Sequence, residues 1–285
     1  MLIMLLSGCQ GMIDYIPTAT PTKTSLPPLD STATINPLPP TPISNDFNAS
    51  QYTGINNATA ASAPGNSDLL PQDTPIAEVR PDLVNLATSS GIALNAELYR
   101  PANLATGTPA GARTPGILII STPFDDWGGF PVLLHDAGFT VLNVQIRIPM
   151  LPGDFKAMLD YLAAENTVDP EKMGVIGAES GGDNAFIGCS EDSRCKALVM
   201  LTPTDRQSLL NTAVIFNNAP RPLLIANSQD NTEAAQTAQA LRLSLTGDDI
   251  TLQPFDSAGR GTQMLFTHQE MAQQIIDWYR ARLNP

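Results

Sequence analysis

The stretch Gly177-Ala178-Glu179-Ser180-Gly181-Gly182 decides the fold of this chain. It ends an apolar run that begins at Met173 and is typical of a strand buried on both faces of a parallel sheet. The small residues that follow predict an abrupt turn into a helix, because glycine allows close backbone approach. The turn has two registers. One places Glu179 midway between two glycines, and the other places Ser180 midway between an alanine and a glycine.

Strand and helix patterns alternate on both sides of this turn. Further strands are predicted at 116–121, 140–146, 197–201, 222–226 and 251–255. Helices are predicted at 130–137, 154–165, 231–245 and 269–282. Residues 83–88 and 92–99 form a predicted hairpin at the sheet edge. The chain is therefore of the α/β class, with a mostly parallel central sheet covered by helices on both faces. The segment 202–221 is too short for a large lid.

The first 80 residues differ in composition from the rest. Residues 1–9 end in Leu6-Ser7-Gly8-Cys9, which resembles the lipobox of bacterial lipoproteins and predicts a truncated signal with a lipidated Cys9. This apolar run is short and lacks a positively charged start, so a disordered apolar tail is the alternative. Residues 10–80 are rich in Pro, Thr, Ser and Asn and predict a disordered linker. The globular domain is expected at 81–285, outside the cytoplasm and held at the cell membrane by lipid alone.

Charge and residue types exclude several kinds of function. With 15 basic and 28 acidic residues, the net charge of −13 argues against nucleic-acid binding. Two histidines, His135 and His268, and three cysteines show no spacing typical of zinc ligands, so neither a metal nor a cofactor is expected. Cys189 and Cys195 bracket a polar loop. They form a local disulfide if the protein is extracytoplasmic and are buried thiols otherwise.

Four ordered stretches resemble α/β-hydrolases of the dienelactone-hydrolase and acyl-esterase type, and the resemblance spans the globular part. Residues 89–94 resemble the S-D-G-x-x-L hairpin, and residues 168–177 resemble the V-D-P-x-R-I-G-V-x-G run before the family nucleophile. Residues 221–226 are similar to the strand before the triad acid, and residues 257–261 to the loop of the triad histidine. The resemblance implies that 177–182 is a nucleophile elbow, a strand–turn–helix with the nucleophile at its tip.

The triad positions implied by this resemblance do not carry an intact triad. Counting from Asp169 without gaps places Glu179 at the nucleophile position, Asp230 at the acid position and Arg260 at the histidine position. A guanidinium stays protonated and cannot act as a general base near neutral pH. Glu179 and Arg260 are therefore expected to form a salt bridge, with Asp230 as a second partner of Arg260. The alternative is that both side chains are solvated surface charges.

The loop after the strand at 116–121 is also altered. Family members use backbone N–H groups here to bind the oxyanion. In this chain Pro123 has no N–H to donate, and Asp125 and Asp126 would oppose a developing negative charge. Phe124, Trp127 and Phe130 are expected either at the mouth of a cleft or in the core.

Two functions remain open from the sequence. The first is a catalytically inactive, surface-anchored hydrolase-fold protein that binds a small molecule or a protein in the old active-site cleft. The second is an active serine carboxylesterase of the dienelactone-hydrolase type, which uses Ser180 with Asp230 and an unusual base. His268, at the start of the last helix, is the candidate base, whereas His135 is expected on a helix surface.

Overall fold

The computed structural model describes residues 79–101, 113–151 and 153–283, which all belong to one compact unit, Gln72–Pro285. The expectations for Cys9, the signal and the linker at 10–80 lie outside these residues, apart from the last two linker positions. Among the described residues, no helix has the length and apolar character needed to cross a membrane.

One eight-stranded sheet forms the centre of this unit, in the order β1-β2-β4-β3-β5-β6-β7-β8. The strands are β1 Asp82–Leu86, β2 Leu94–Tyr99, β3 Thr114–Ser121, β4 Thr140–Gln145, β5 Val168–Ala178, β6 Cys195–Leu201, β7 Leu223–Ser228 and β8 Ile250–Phe255. The pairs β1–β2 and β2–β4 are antiparallel, and all other neighbours are parallel. The predicted mostly parallel α/β sheet with an antiparallel opening hairpin is therefore confirmed.

Helices cover both faces of the sheet. They are α1 Phe130–Asp136, α2 Asp154–Ala164, α3 Ser180–Glu191, α4 Arg206–Phe216, α5 Thr232–Ser244, α6 Met264–Thr267 and α7 Gln269–Leu283. Buried residues of α2 to α5 form the core on one face, and those of α1, α6 and α7 form the core on the other. Successive residues of β3 alternate between the two cores, Leu118 and Ile120 in one, Ile117 and Ile119 in the other. This double burial explains the continuous apolar runs in the sequence.

The helix α4 was not predicted. It begins after Asp205, whose carboxylate accepts a hydrogen bond from the Ser208 N–H, as expected for an N-cap. Leu209 and Phe216 are buried against the core, but Val214 is 70% exposed. Apolar residues on the solvent side blur the helical period that sequence analysis depends on. The segment 202–221 holds this one helix and, as predicted, no large lid.

Cys189 and Cys195 form a disulfide with a Cα–Cα distance of 5.4 Å. The bond joins the last turn of α3 to the start of β6, and both cysteines are buried. The structure therefore selects the disulfide over the pair of free thiols that sequence analysis left open. The closed loop anchors the far end of the helix that begins at the elbow.

Candidate functional site

Glu179 stands at the tip of the turn between β5 and α3. Its backbone has φ 47° and ψ −123°, and α3 begins at the next residue, Ser180. A positive φ in a non-glycine residue costs free energy and is concentrated at functional sites. The Glu179 N–H donates to the Leu201 carbonyl at 2.8 Å, which ties the turn to the end of β6. The tip of the turn is therefore Glu179 and not Ser180.

Three glycines make this turn sterically feasible. A Cβ at Gly177 would clash with the backbone of Gly181, and a Cβ at Gly181 would lie 2.6 Å from the Ile120 carbonyl oxygen. A Cβ at Gly182 would lie 2.9 Å from the Gly177 carbonyl oxygen. All of these neighbours are backbone atoms that cannot move aside cheaply. The glycine pattern thus serves the close approach of α3 to β3 and β5.

Glu179 and Arg260 form the salt bridge expected from the sequence, with Arg260 Nε donating to Glu179 Oε1. The Glu179 side chain is 27% exposed and the Arg260 side chain 61% exposed. Gly261 follows with φ 55°, and a Cβ there would lie 3.1 Å from Glu179 Cγ. The glutamate therefore lies over the backbone of the loop that carries Arg260, and its carboxylate is held rather than free.

Asp230 does not join this pair, so its expected role as a second partner of Arg260 is wrong. No ion pair links the two among the described residues; instead, the Ser228 hydroxyl donates to Asp230 Oδ1. The same hydroxyl accepts the Ala258 N–H at 2.7 Å. The Ser228 hydroxyl, at the end of β7, thus connects Asp230 to the loop that leads to Arg260.

The backbone N–H groups of the loop after β3 are hydrogen-bonded to acceptors within the protein. Thr122 N–H donates to Asp125 Oδ2 at 2.6 Å, and Phe124 N–H to Thr122 Oγ1 at 3.3 Å. Asp125 N–H donates to the Thr122 carbonyl at 3.2 Å, and Asp126 N–H to Thr262 Oγ1 at 3.3 Å. Pro123 has no N–H. Every backbone N–H from 122 to 126 therefore already has an acceptor within the protein.

The electrostatics of this loop also oppose negative charge. Burial raises the pKa of Asp125, the hydrogen bonds from Thr122 lower it, and the nearby charge of Glu179 raises it. The space in front of the elbow is thus close to the carboxylates of both Asp125 and Glu179. An anionic intermediate formed there would meet like charge.

Neither histidine of the chain is hydrogen-bonded to a residue of the elbow. His135 is buried, with Nε2 bonded to the Arg100 carbonyl at 2.9 Å and Nδ1 to Asp136 at 2.8 Å. The expected surface position is wrong because α1 packs over the end of β2 and encloses the ring. His268 uses Nε2 on the Asp256 carbonyl and Nδ1 on Glu270, both at 3.1 Å, and Glu270 raises the pKa of its imidazole.

Ser180 lies half-buried in the first turn of α3, where its carbonyl accepts a bond from Asn184 Nδ2 at 2.7 Å. No described residue hydrogen-bonds its hydroxyl. Both ring nitrogens of each histidine are bonded elsewhere, so the structure brings no general base to this serine. Among the described residues, neither Asp230 nor either histidine is hydrogen-bonded to Ser180.

A cleft of about 450 Å³ opens on the side of β2 and β4, next to the loop after β3, and none of the residues 177–182 lines it. We call it the edge cleft. It is lined by Leu83, Asn95, Ala96, Glu97, Tyr99, Ser121, Thr122, Asp125, Asp126, Trp127, Gly128, Pro131, Asn143 and Gln145. The three aromatic residues named from the sequence have different surroundings. Trp127 lines the cleft, and the buried Phe130 stacks on the Trp127 ring with 5.9 Å between ring centroids. Phe124 is 87% exposed.

No group of three or more metal-binding side chains occurs in the part of the chain that the structure describes.

Two threonines that sequence analysis did not single out support the site. Thr202 follows β6 with φ 57°, and its Oγ1 accepts the Gly261 N–H at 2.9 Å. Thr262 Oγ1 accepts the Asp126 N–H and so fastens the loop after β3 to the loop of Arg260. These bonds join residues that are 59 and 136 positions apart. Threonine is common, and no local pattern in the sequence signals such partners.

Comparison with known proteins identifies the fold from structure alone. No protein-family model matches the chain, and no curated protein matches it either. Among solved structures, it is similar to a puromycin-hydrolysing peptidase of Mycobacterium tuberculosis, with TM-score 0.62 and 14% identity over 72% of this chain. The esterase domain of a Rhodothermus marinus protein gives TM-score 0.58 and 14% identity over 71% of this chain and 99% of that domain. The chain has the α/β-hydrolase fold.

A third similar structure is the Pyrococcus furiosus esterase Pf2001, with TM-score 0.55 and 14% identity over 72% of this chain and 94% of the esterase. The chain spans only 40% of the length of the M. tuberculosis peptidase. At these identities, the similarity shows the α/β-hydrolase fold and not the activity of these proteins.

Proposed function

We propose that this protein is a non-hydrolytic α/β-hydrolase-fold protein that binds a ligand in the edge cleft, next to the loop after β3. In this proposal the triad positions are occupied by Glu179, Asp230 and Arg260. Acyl transfer needs a hydroxyl or thiol nucleophile, a neutral base within hydrogen-bond reach and donors for the oxyanion. The observation that carries the proposal is the Glu179–Arg260 ion pair at the strained tip of the elbow.

In this proposal, the ion pair leaves neither a nucleophile at position 179 nor a general base at position 260. The Glu179 carboxylate is occupied by the Arg260 guanidinium, and that guanidinium cannot accept a proton near neutral pH. The loop at 122–126 adds support, because its N–H groups already donate to Asp125, Thr262 and the loop itself. A site that had kept weak esterase activity would need at least one of these donors free.

The proposal is tested with the full chain. Hydrolysis of p-nitrophenyl acetate and butyrate is measured for the unaltered protein and for Ser180→Ala, together with labelling by a fluorophosphonate probe. We expect equal background rates and no labelling of either protein. Labelling that is lost in Ser180→Ala would instead establish the alternative, an active serine carboxylesterase. The double variant Glu179→Ser with Arg260→His is the informative comparison, since esterase activity found only there would support the assignment of the triad positions.

We also propose that the protein is extracytoplasmic and anchored by a lipid on Cys9. Two observations support this: the lipobox-like Leu6-Ser7-Gly8-Cys9, and the Cys189–Cys195 disulfide, since such bonds persist mainly in oxidising compartments. Detergent phase partition after expression in a bacterial host tests the anchor. The unaltered chain should enter the detergent phase and Cys9→Ser should remain in the aqueous phase. Equal partition of the two proteins would contradict the lipid anchor.

A further inference from the structure

The floor of the edge cleft is a polar part of the central sheet. Glu97 of β2 and Asn143 of β4 are direct cross-strand partners, and both line the cleft. Asn95 and Gln145 line it as well, and they lie two residues further along the same strands, on the same face because strand side chains alternate. Strands of a sheet that is covered on both faces are typically apolar. This part of the sheet is therefore built to face solvent or a ligand rather than a helix.

Two of the amides on this floor have unused hydrogen-bonding groups. Asn95 and Gln145 are exposed, and neither side chain has a hydrogen-bond partner among the described residues. The register of β2 and β4, in which Ala96 faces Val144, places the two amides at neighbouring positions. An amide side chain offers both N–H donors and a carbonyl acceptor. Donors and acceptors thus stand side by side and are free to bind the same molecule.

The rest of the floor is fixed by a hydrogen-bonded network. Tyr99 OH donates to Glu97 Oε2 at 2.9 Å, and Asn143 Nδ2 donates to the same oxygen at 3.2 Å. Ser121 Oγ donates to Asn143 Oδ1 at 2.5 Å, which fixes the orientation of the amide. No described residue donates to Glu97 Oε1. The network holds one carboxylate oxygen in place and leaves the other as an acceptor, which reduces the cost of ordering the site on binding.

The other side chains of the lining exclude several classes of ligand. No lysine, arginine or histidine is among the residues that line the cleft, so an anionic ligand would find no opposite charge. Asp125 and Asp126 each accept a backbone N–H of their own loop, at 2.6 Å from Thr122 and at 2.9 Å from Gly128. No three metal-binding side chains converge in the described residues. The groups that remain for binding are thus mainly neutral donors and acceptors.

A neutral molecule with several adjacent hydroxyl groups matches this set. Each hydroxyl both donates and accepts hydrogen bonds, so neighbouring hydroxyls can pair with the donors and acceptors of a row of amides. The cleft volume of about 450 Å³ lies in the range of small-molecule sites. From these features we infer that the edge cleft binds a neutral saccharide, whose hydroxyls bond Asn95, Gln145 and Glu97 Oε1. The inference rests on the proposed function, because it names the ligand class of that cleft.

Saturation-transfer NMR on the unaltered full chain provides the test. The probes are neutral disaccharides built from glucose, galactose, mannose, xylose or N-acetylglucosamine. The controls are cyclohexanol, which has a similar ring and a single hydroxyl, and sodium glucuronate, which has the hydroxyls of a sugar and a negative charge. We expect saturable binding of at least one disaccharide, and binding at least about tenfold weaker for both controls. Absence of saturable binding by every disaccharide, or binding of cyclohexanol with equal affinity, would overturn the inference.

Matched amide-removing variants locate the site. Gln145→Ala and Asn95→Ala each delete hydrogen-bonding groups from an exposed position, and we expect each to raise the dissociation constant of the bound disaccharide about tenfold. Gln236→Ala makes the same change on an exposed position of α5, outside the cleft, and should leave binding unchanged. Equal effects of the variants at 145 and 236 would place the sugar elsewhere and overturn the inference. Failure to bind sugar would leave the non-hydrolytic assignment standing, whereas ester turnover would refute that assignment without bearing on sugar binding.

Discussion

The conformation of Glu179 allows a stability measurement that decides the register of the elbow. With φ 47° and ψ −123°, this residue occupies a region that glycine enters at little cost and other residues enter at about 1–3 kcal/mol. Glu179→Gly relieves that strain but adds unfolded-chain entropy of about 0.4–1 kcal/mol. Glu179→Ala keeps the strain. Both variants lose the ion pair with Arg260, so that loss cancels when they are compared.

We therefore expect Glu179→Gly to be more stable than Glu179→Ala by about 1 kcal/mol, equivalent to about 2–4 °C in Tm for a domain of this size. The neighbouring residue gives the matched control. Ser180 is the first residue of α3, with ordinary helical surroundings, so Ser180→Gly should be less stable than Ser180→Ala by up to about 1 kcal/mol. The order of the glycine and alanine variants thus reverses between two adjacent positions.

Urea unfolding of the full chain with its disulfide intact, followed by tryptophan fluorescence, measures all four variants. The midpoint is the quantity compared, provided that the slope with denaturant stays constant. If the alanine variant is the more stable at position 179, the tip of the turn is not strained, and the assignment of Glu179 to it is wrong. If the glycine variant is the more stable at position 180 but not at position 179, the tip of the turn is Ser180, and this result would favour the esterase interpretation.

Three further predictions follow from the described residues. Reduction of the Cys189–Cys195 disulfide, which has a sequence separation of 6, should lower the free energy of unfolding by about 2 kcal/mol, measured by urea unfolding with and without reductant; an unchanged midpoint would argue against the bond. Gly181→Ala should abolish cooperative unfolding, since its Cβ would lie 2.6 Å from the Ile120 carbonyl oxygen, whereas the same change at the open Gly129 should be tolerated; circular dichroism on heating compares the two. Burial raises the pKa of Asp125, so ionisation of this carboxyl group disfavours the native state. The stability of Asp125→Asn relative to the unaltered chain should therefore increase as the pH rises from the pKa of Asp125 in the unfolded chain, about 3.9, through its higher pKa in the folded chain. A stability difference that does not change between pH 3 and 7 would contradict this.

The sequence by itself determined the architecture. Continuous apolar runs such as 116–121 and 197–201 predicted strands buried on both faces, and the glycines around Glu179 predicted the sharp turn before α3. These signals are local, because burial and close backbone approach dictate the residue types at each position. The signal failed at α4, where Val214 is 70% exposed on the solvent side and masks the helical period. The charge substitution at the elbow could also be inferred, since an arginine at 260 and a glutamate at 179 complement each other.

Tertiary structure alone decided which partners each polar group has. Asp230 was expected to pair with Arg260, but it bonds Ser228, whereas Asp126 is fastened by Thr262, 136 residues away. His135 was expected on the surface and is enclosed between α1 and the end of β2. The carboxylates of the edge cleft come from β2 and from the loop after β3, two segments that are separate in the sequence. Hydrogen bonds and charge pairs depend on distances of a few ångströms between such segments, and only the folded chain sets those distances.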